Sequence, residues 1–104
     1  MKVEVLYIAD CPSQAGAVQM VKDILTAQGI LHEVREVLVP DEQTARDLRF
    51  RGSPTIRING RDIAGESQQD ETFCLSCRLY PGSDRIGLPP TDLVRRAIIT
   101  ASKD

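Results

Sequence analysis

"GSPTIRINGRDIAG", residues 52–65, decides how the rest of the 104-residue chain is read. Thr55, Ile56, Arg57 and Ile58 alternate as a strand does. Asn59 and Gly60 follow, the strongest short hairpin signal, because a two-residue turn matching the strand twist needs positive φ at both positions. Residues 61–64 are then the return strand. A hairpin late in a chain of this length implies a sheet whose other strands come earlier.

Toward the N-terminus, "KVEVLYI" (2–8) is β-rich and apolar enough for a buried central strand. Over residues 13–28 the apolar positions Ala17, Val18, Val21, Ile24 and Leu25 recur as a helical stripe, and Gly29 supplies a stop. "LHEVREVLV" (31–39) reads as a second strand. A helix between two strands makes them parallel with a right-handed crossover. Pro40 and Asp41 open a short helix, with Asp41 as its cap and Ala45 and Leu48 facing inward. Toward the C-terminus, a last helix starts at Thr91, with Leu93, Val94, Ala97, Ile98 and Ala101 on one face and its entry fixed by Pro89 and Pro90.

The expected order is β-α-β-α-β-β-α. It describes one α/β domain over residues 1–104, a four-stranded mixed sheet with helices on both faces. Residues 65–90 form an inserted loop that this core does not need, and loops of that length in compact domains are often functional. The loop holds Cys74 and Cys77, two of the three cysteines; the other is Cys11.

Composition narrows the function classes. Apolar residues make up 41%, ordinary for a globular protein, and the net charge is −2. Acids and bases are interspersed, so no basic patch suits nucleic acid, and Arg95 with Arg96 reads as a solvated helix face. No apolar run approaches the ~20 residues of a membrane span. "MKVEVLYIAD" carries Glu4 and no small-residue cleavage site, so it reads as a strand and not a signal peptide. The expected location is the cytoplasm, where thiols stay reduced and cysteines serve reactivity or metal binding more than structural disulfides.

Two features carry a resemblance. Cys11 and Pro12 stand where the first strand meets the first helix, and Ser53-Pro54-Thr55 opens the third strand. In this element order the chain resembles a thioredoxin-like domain over roughly residues 1–65 and 90–103. More narrowly, "GSPTIRINGRDI", "SCRLY" and the "PP" before the last helix are similar to small bacterial thioredoxin-like proteins labelled alkylmercury-lyase-like or DF family (seleno)proteins. The resemblance implies that Cys11 is a nucleophile, that the Ser53–Pro54 bond is cis, and that Ser53, Pro54 and Pro12 line a substrate-binding edge. An extended segment would pair there beside Cys11 as an added strand. The chain departs from ordinary thioredoxins in having Gln14 where a second cysteine would complete C-x-x-C, and no Trp beforehand. A dithiol cycle within residues 11–14 is excluded.

The chemistry agrees with that placement. A cysteine just before a helix lies near unpaired backbone N–H groups and the positive dipole end, which favour the thiolate. Pro12 suits the first helical position, where its missing N–H costs nothing. The bland alternative is an inert thiol packed at a helix start. Cys74 and Cys77 form the C-x-x-C absent at the first helix, with Arg78 beside them. They are candidate resolving thiols for Cys11, Cys77 before Cys74; otherwise they ride on a loop whose Phe73, Leu75, Leu79 and Tyr80 plug the sheet end. A zinc site needs four ligands. The one histidine, His32, begins the second strand, about 20 Å from Cys11 across two parallel strands at 3.3 Å per residue. It is read as a surface strand residue.

Three functions remain open. The first is a thiol-disulfide oxidoreductase acting on protein or low-molecular-weight disulfides, without a cofactor. The second is soft-metal or organomercurial handling by Cys11, Cys74 and Cys77, with Asp10 the nearest candidate acid. The third is a redox-inactive binding module using only the Ser53–Pro54 edge.

Overall fold

A computed structural model describes residues 1–30, 33–64 and 88–103. Among them the elements run β1 (Lys2–Tyr7), α1 (Gln14–Ala27), β2 (Glu33–Leu38), α2 (Glu42–Leu48), β3 (Thr55–Ile58), β4 (Arg61–Asp62) and α3 (Thr91–Ser102). The four strands make one mixed sheet in the order β2-β1-β3-β4. β1 pairs parallel with β2 and antiparallel with β3, and β4 returns antiparallel to β3. The expected α/β architecture and element order are those observed.

Strand alternation divides the core in two. Val3 and Val5 face α1 and α3, where they pack with Val21, Leu25, Ile56, Val94 and Ile98. Leu6 faces the other way, into a smaller cluster with Val39, Ala45 and Phe50 under α2. Phe50 is fully buried and anchors that second cluster. Because α2 is short, much of this face is left to charged side chains, among them Lys2, Glu4 and Arg35.

Local chemistry ends the elements where the sequence says they should end. After α1, Gly29 adopts φ +69°, its N–H donates to Thr26, and the Ile30 N–H reaches back to Leu25 at 3.0 Å. This Schellman pattern stops the helix and satisfies its last carbonyls. Arg49 takes the same left-handed role after α2 at φ 54°, and the Phe50 N–H donates to Ala45 at 2.8 Å. The Arg57 guanidinium, projecting from β3, donates to the carbonyls of Leu48 and Arg49 and so caps α2 from across the sheet. In the hairpin, Asn59 and Gly60 have φ of 53° and 85°, the two positive values the turn requires. Asn59 also binds Lys2 twice, through its N–H at 2.8 Å and its Oδ1 at 3.1 Å, pinning the hairpin to the start of β1.

Three boundaries differ from expectation. β2, described from Glu33, ends at Leu38 and not at residue 39; the expected start at residues 31–32 lies outside the described residues. The return strand is Arg61–Asp62 and does not extend over residues 61–64, because Asp62 Oδ1 accepts the Ala64 N–H at 3.0 Å and turns the chain. Pro12 is not the first helical residue. The chain turns before α1, with the Gln14 N–H donating to the Cys11 carbonyl at 3.4 Å, so Ser13 is the cap and Pro12 lies exposed outside it.

Phe50→Ala should destabilise the domain by about 3–5 kcal/mol, a large share of the ~5–15 kcal/mol typical of small proteins, read from a denaturant midpoint. Asp41 gives a pH-dependent test. Hydrogen bonds from the Thr44 side chain and N–H, the latter at 2.7 Å, and the nearby Arg46 charge hold its carboxyl below the ordinary carboxylate range. A lowered folded value means stability that is present above the unfolded pKa of about 3.9 and is lost as pH falls through the folded value. The melting-temperature gap between wild type and Asp41→Ala should therefore be open at neutral pH and close in strong acid.

Candidate functional site

Pairing register brings three strand ends together. Tyr7, ending β1, lies beside Leu38, ending β2, while Leu6 lies beside Thr55, beginning β3. The chain leaving β1 and the chain entering β3 thus meet at one end of the sheet. They are joined there by side-chain chemistry: the Ile8 N–H donates to Ser53 Oγ at 3.1 Å. The Val39 N–H donates to the Tyr7 carbonyl at 2.8 Å, extending the ladder one residue past β2.

Cys11 stands at this end. After Ile8 the backbone turns through Ala9 and Asp10, with Asp10 in the left-handed region at φ 58°. That turn redirects the chain from strand into helix and leaves Cys11 half-buried as a free thiol. Ser13 caps the helix through its backbone, its carbonyl accepting the Ala17 N–H at 3.0 Å; its side chain makes no capping bond. The first turn of α1 holds no acidic residue of its own. Gln14 Nε2 donates to Glu36 Oε1 at 2.7 Å, tying the start of α1 to β2.

The Ser53–Pro54 peptide is cis, as the sequence resemblance implied. The residues on either side of that bond are covered. Ser53 is 1% exposed, Pro54 is also buried, and the Ser53 hydroxyl is engaged by Ile8. Beside them the Thr55 hydroxyl donates to the Gly52 carbonyl at 2.6 Å. The Ser53 side chain thus fastens two strand ends. Of the other candidates, Pro12 and Asp10 are exposed at the surface. Cys74, Cys77 and His32 lie outside the described residues. Among the described residues no group of three or more His, Cys, Asp or Glu side chains is placed to hold a metal ion.

Sequence reasoning missed two features of this end. Leu38 is 46% exposed beside Tyr7, although it sits inside the apolar run Val37-Leu38-Val39. Alternation was the available signal: Val37 and Val39 share a face with the α2 cluster, which sends Leu38 the other way. The second is Leu88. A Cβ placed on Gly16 would come 3.4 Å from a Leu88 methyl carbon, so Leu88 packs on the first turn of α1, close in sequence to Cys11. The chain before residue 65 also heads this way, since β4 runs antiparallel to β3 and the Ile63 N–H donates to Ile56 at 3.0 Å.

A family model described as a domain of unknown function (DUF2703) matches residues 13–98. The chain belongs to this family. The DUF2703 match spans Ser53, Pro54, Cys74 and Cys77 and begins two residues after Cys11. No curated protein and no solved structure gives a significant match to the chain. Among the described residues no helix of this DUF2703 protein is long and apolar enough to cross a membrane.

The Ser53 contact is directly testable. Ser53→Ala leaves the Ile8 N–H without its partner in a half-buried setting, a loss of about 1–3 kcal/mol. Amide hydrogen exchange at Ile8 should accelerate markedly, while Asn59 at the opposite end of the sheet stays near its wild-type rate.

Proposed function

We propose that this protein is a thioredoxin-like thiol-disulfide oxidoreductase of the cytoplasm, with Cys11 as nucleophile and Cys77, or failing it Cys74, as resolving thiol. The observation that carries the reading is the position of Cys11: a half-buried free thiol between β1 and α1, at the sheet end where Ser53 and Pro54 enter β3. Support for a resolving thiol from residues 65–87 comes from the two flanks of that segment. The Ile63 N–H, just past β4, donates to Ile56, β4 itself runs toward this end, and Leu88 packs on Gly16.

The reaction has two exchanges. The Cys11 thiolate attacks one sulfur of a substrate disulfide, forming a mixed disulfide and releasing the other substrate sulfur as thiolate. The resolving thiolate then attacks the Cys11 sulfur and releases the second substrate thiol. The substrate disulfide gains two electrons and two protons, the protein dithiol loses them, and an external dithiol reductant restores it. The thiolate is the form of Cys11 that attacks and later leaves.

Turnover of a disulfide-bonded peptide with dithiothreitol as reductant tests the reading. Wild type should turn over, and Cys11→Ser should lose the activity. In a single turnover without dithiothreitol, Cys77→Ser should complete only the first exchange and accumulate a mixed disulfide on Cys11, visible by intact mass; if Cys74→Ser does so instead, Cys74 is the resolver. Full activity in Cys11→Ser would overturn the proposal. So would an inactive wild type that binds one Hg(II) through its thiols, which would put soft-metal binding in its place.

A further inference from the structure

A groove of about 430 Å³ lies along the β4 edge of the sheet, and its lining includes neither Cys11 nor Ser53. Its origin is in the sequence. Helix α3 carries two apolar stripes. Val94 and Ile98 are buried on the sheet, whereas Leu93, Ala97 and Ala101, spaced four apart, are half-buried one step around the helix. A full-length fourth strand would cover that second stripe. β4 is only two residues long, and the alanines are too small to fill the space it leaves.

The walls are apolar, formed by Ile63, Leu93 and Ala97, and the rim is charged, with Arg61, Arg96 and Asp62. The charges are not equivalent. Asp62 is already an acceptor for the Ala64 N–H. Arg95, next to Arg96, donates to Asp92 at 2.6 Å. Neither the Arg61 nor the Arg96 guanidinium has a hydrogen bond or ion pair with a described residue. Two cations without a counterion among the described residues thus stand over an apolar floor, in a volume within the usual ~300–1,000 Å³ range of small-molecule sites.

We propose that this groove binds a small amphipathic anion: an apolar body seated between α3 and β4, and a carboxylate or comparable acidic group held by Arg61 and Arg96. A wholly apolar ligand would leave both guanidinium groups without a role, and a polar anion would leave Leu93 and Ile63 exposed. Guanidinium donors suit planar or tetrahedral oxyanions, and partial enclosure by the groove strengthens the contact relative to open solvent. The site is independent of the thiol chemistry at Cys11.

The test uses the full chain and two probes of one shape, anionic 1-anilinonaphthalene-8-sulfonate and uncharged N-phenyl-1-naphthylamine. Both should shift the backbone amide resonances of Ile63, Leu93 and Ala97 saturably, with the sulfonate bound more tightly. Arg61→Gln and Arg96→Gln should each weaken the sulfonate about three- to tenfold and leave the neutral probe unchanged. Ala97→Leu, which fills the groove, should weaken both; Ala101→Leu serves if the first variant melts early. Equal effects of the arginine variants on both probes would overturn the proposal. So would the absence of saturable shifts at these residues, as when residues 65–87 or a second copy of the chain already fill the groove.

Discussion

β1 is covered along its length on one face and at its C-terminal end on the other, and the rest of the molecule is arranged around that central strand. It is hydrogen-bonded on both sides, to β2 and β3, so neither edge meets water. Val3 and Val5 are fully buried on one face and Leu6 is 2% exposed on the other. A strand closed in this way needs a layer above and a layer below. One layer is α1 with α3, and the other is α2 with Phe50. What emerges from the end of β1 is therefore held on several sides at once. That is why Ile8 binds Ser53 and Val39 binds Tyr7 just where the chain turns toward Cys11.

The same geometry explains which parts of the fold were legible in the sequence. The hairpin was legible because Asn59 and Gly60 tolerate positive φ, a local property independent of neighbours. The end of α1 was legible for the same reason at Gly29. The parallel β1–β2 pair followed from the helix between them, since handedness restricts the crossover. The Asp41 cap needed only the next three residues. Each of these signals lies within a few positions of the structure it specifies.

What escaped the sequence depends on contacts between distant segments. Ser53 and Ile8 are 45 positions apart, and nothing local to Ser53 marks its hydroxyl as a strand fastener. Arg57 alternates like any outward strand residue, yet its guanidinium closes the C-terminus of α2. The early stop of β4 was hidden because Ile63 and Ala64 suit a strand well enough; the Asp62 carboxylate competes for the Ala64 N–H and ends the strand. Cys11 itself was placed correctly because its position rests on two local facts, the end of an apolar strand and the start of a periodic helix. Its surroundings could not be placed, because they come from β2, β3 and residue 88.

The two ends of α3 illustrate how a chain of this length distributes its apolar surface. Pro89 and Pro90 fix the entry to the helix, and Leu88 before them packs over Gly16, within contact distance of where a Cβ would stand. Residue 88 thus closes the core over the first turn of α1. Along the β4 edge the arrangement is reversed: small residues at 97 and 101 face a strand of two residues, and the space stays open. A small side chain produces close packing where a large one approaches it, and a groove where none does. The closed corner keeps the Cys11 turn in one geometry, and the open one leaves Arg61 and Arg96 over apolar walls. Both outcomes follow from the same limit: the described core has enough large apolar residues to cover the centre of the sheet, but not its last edge.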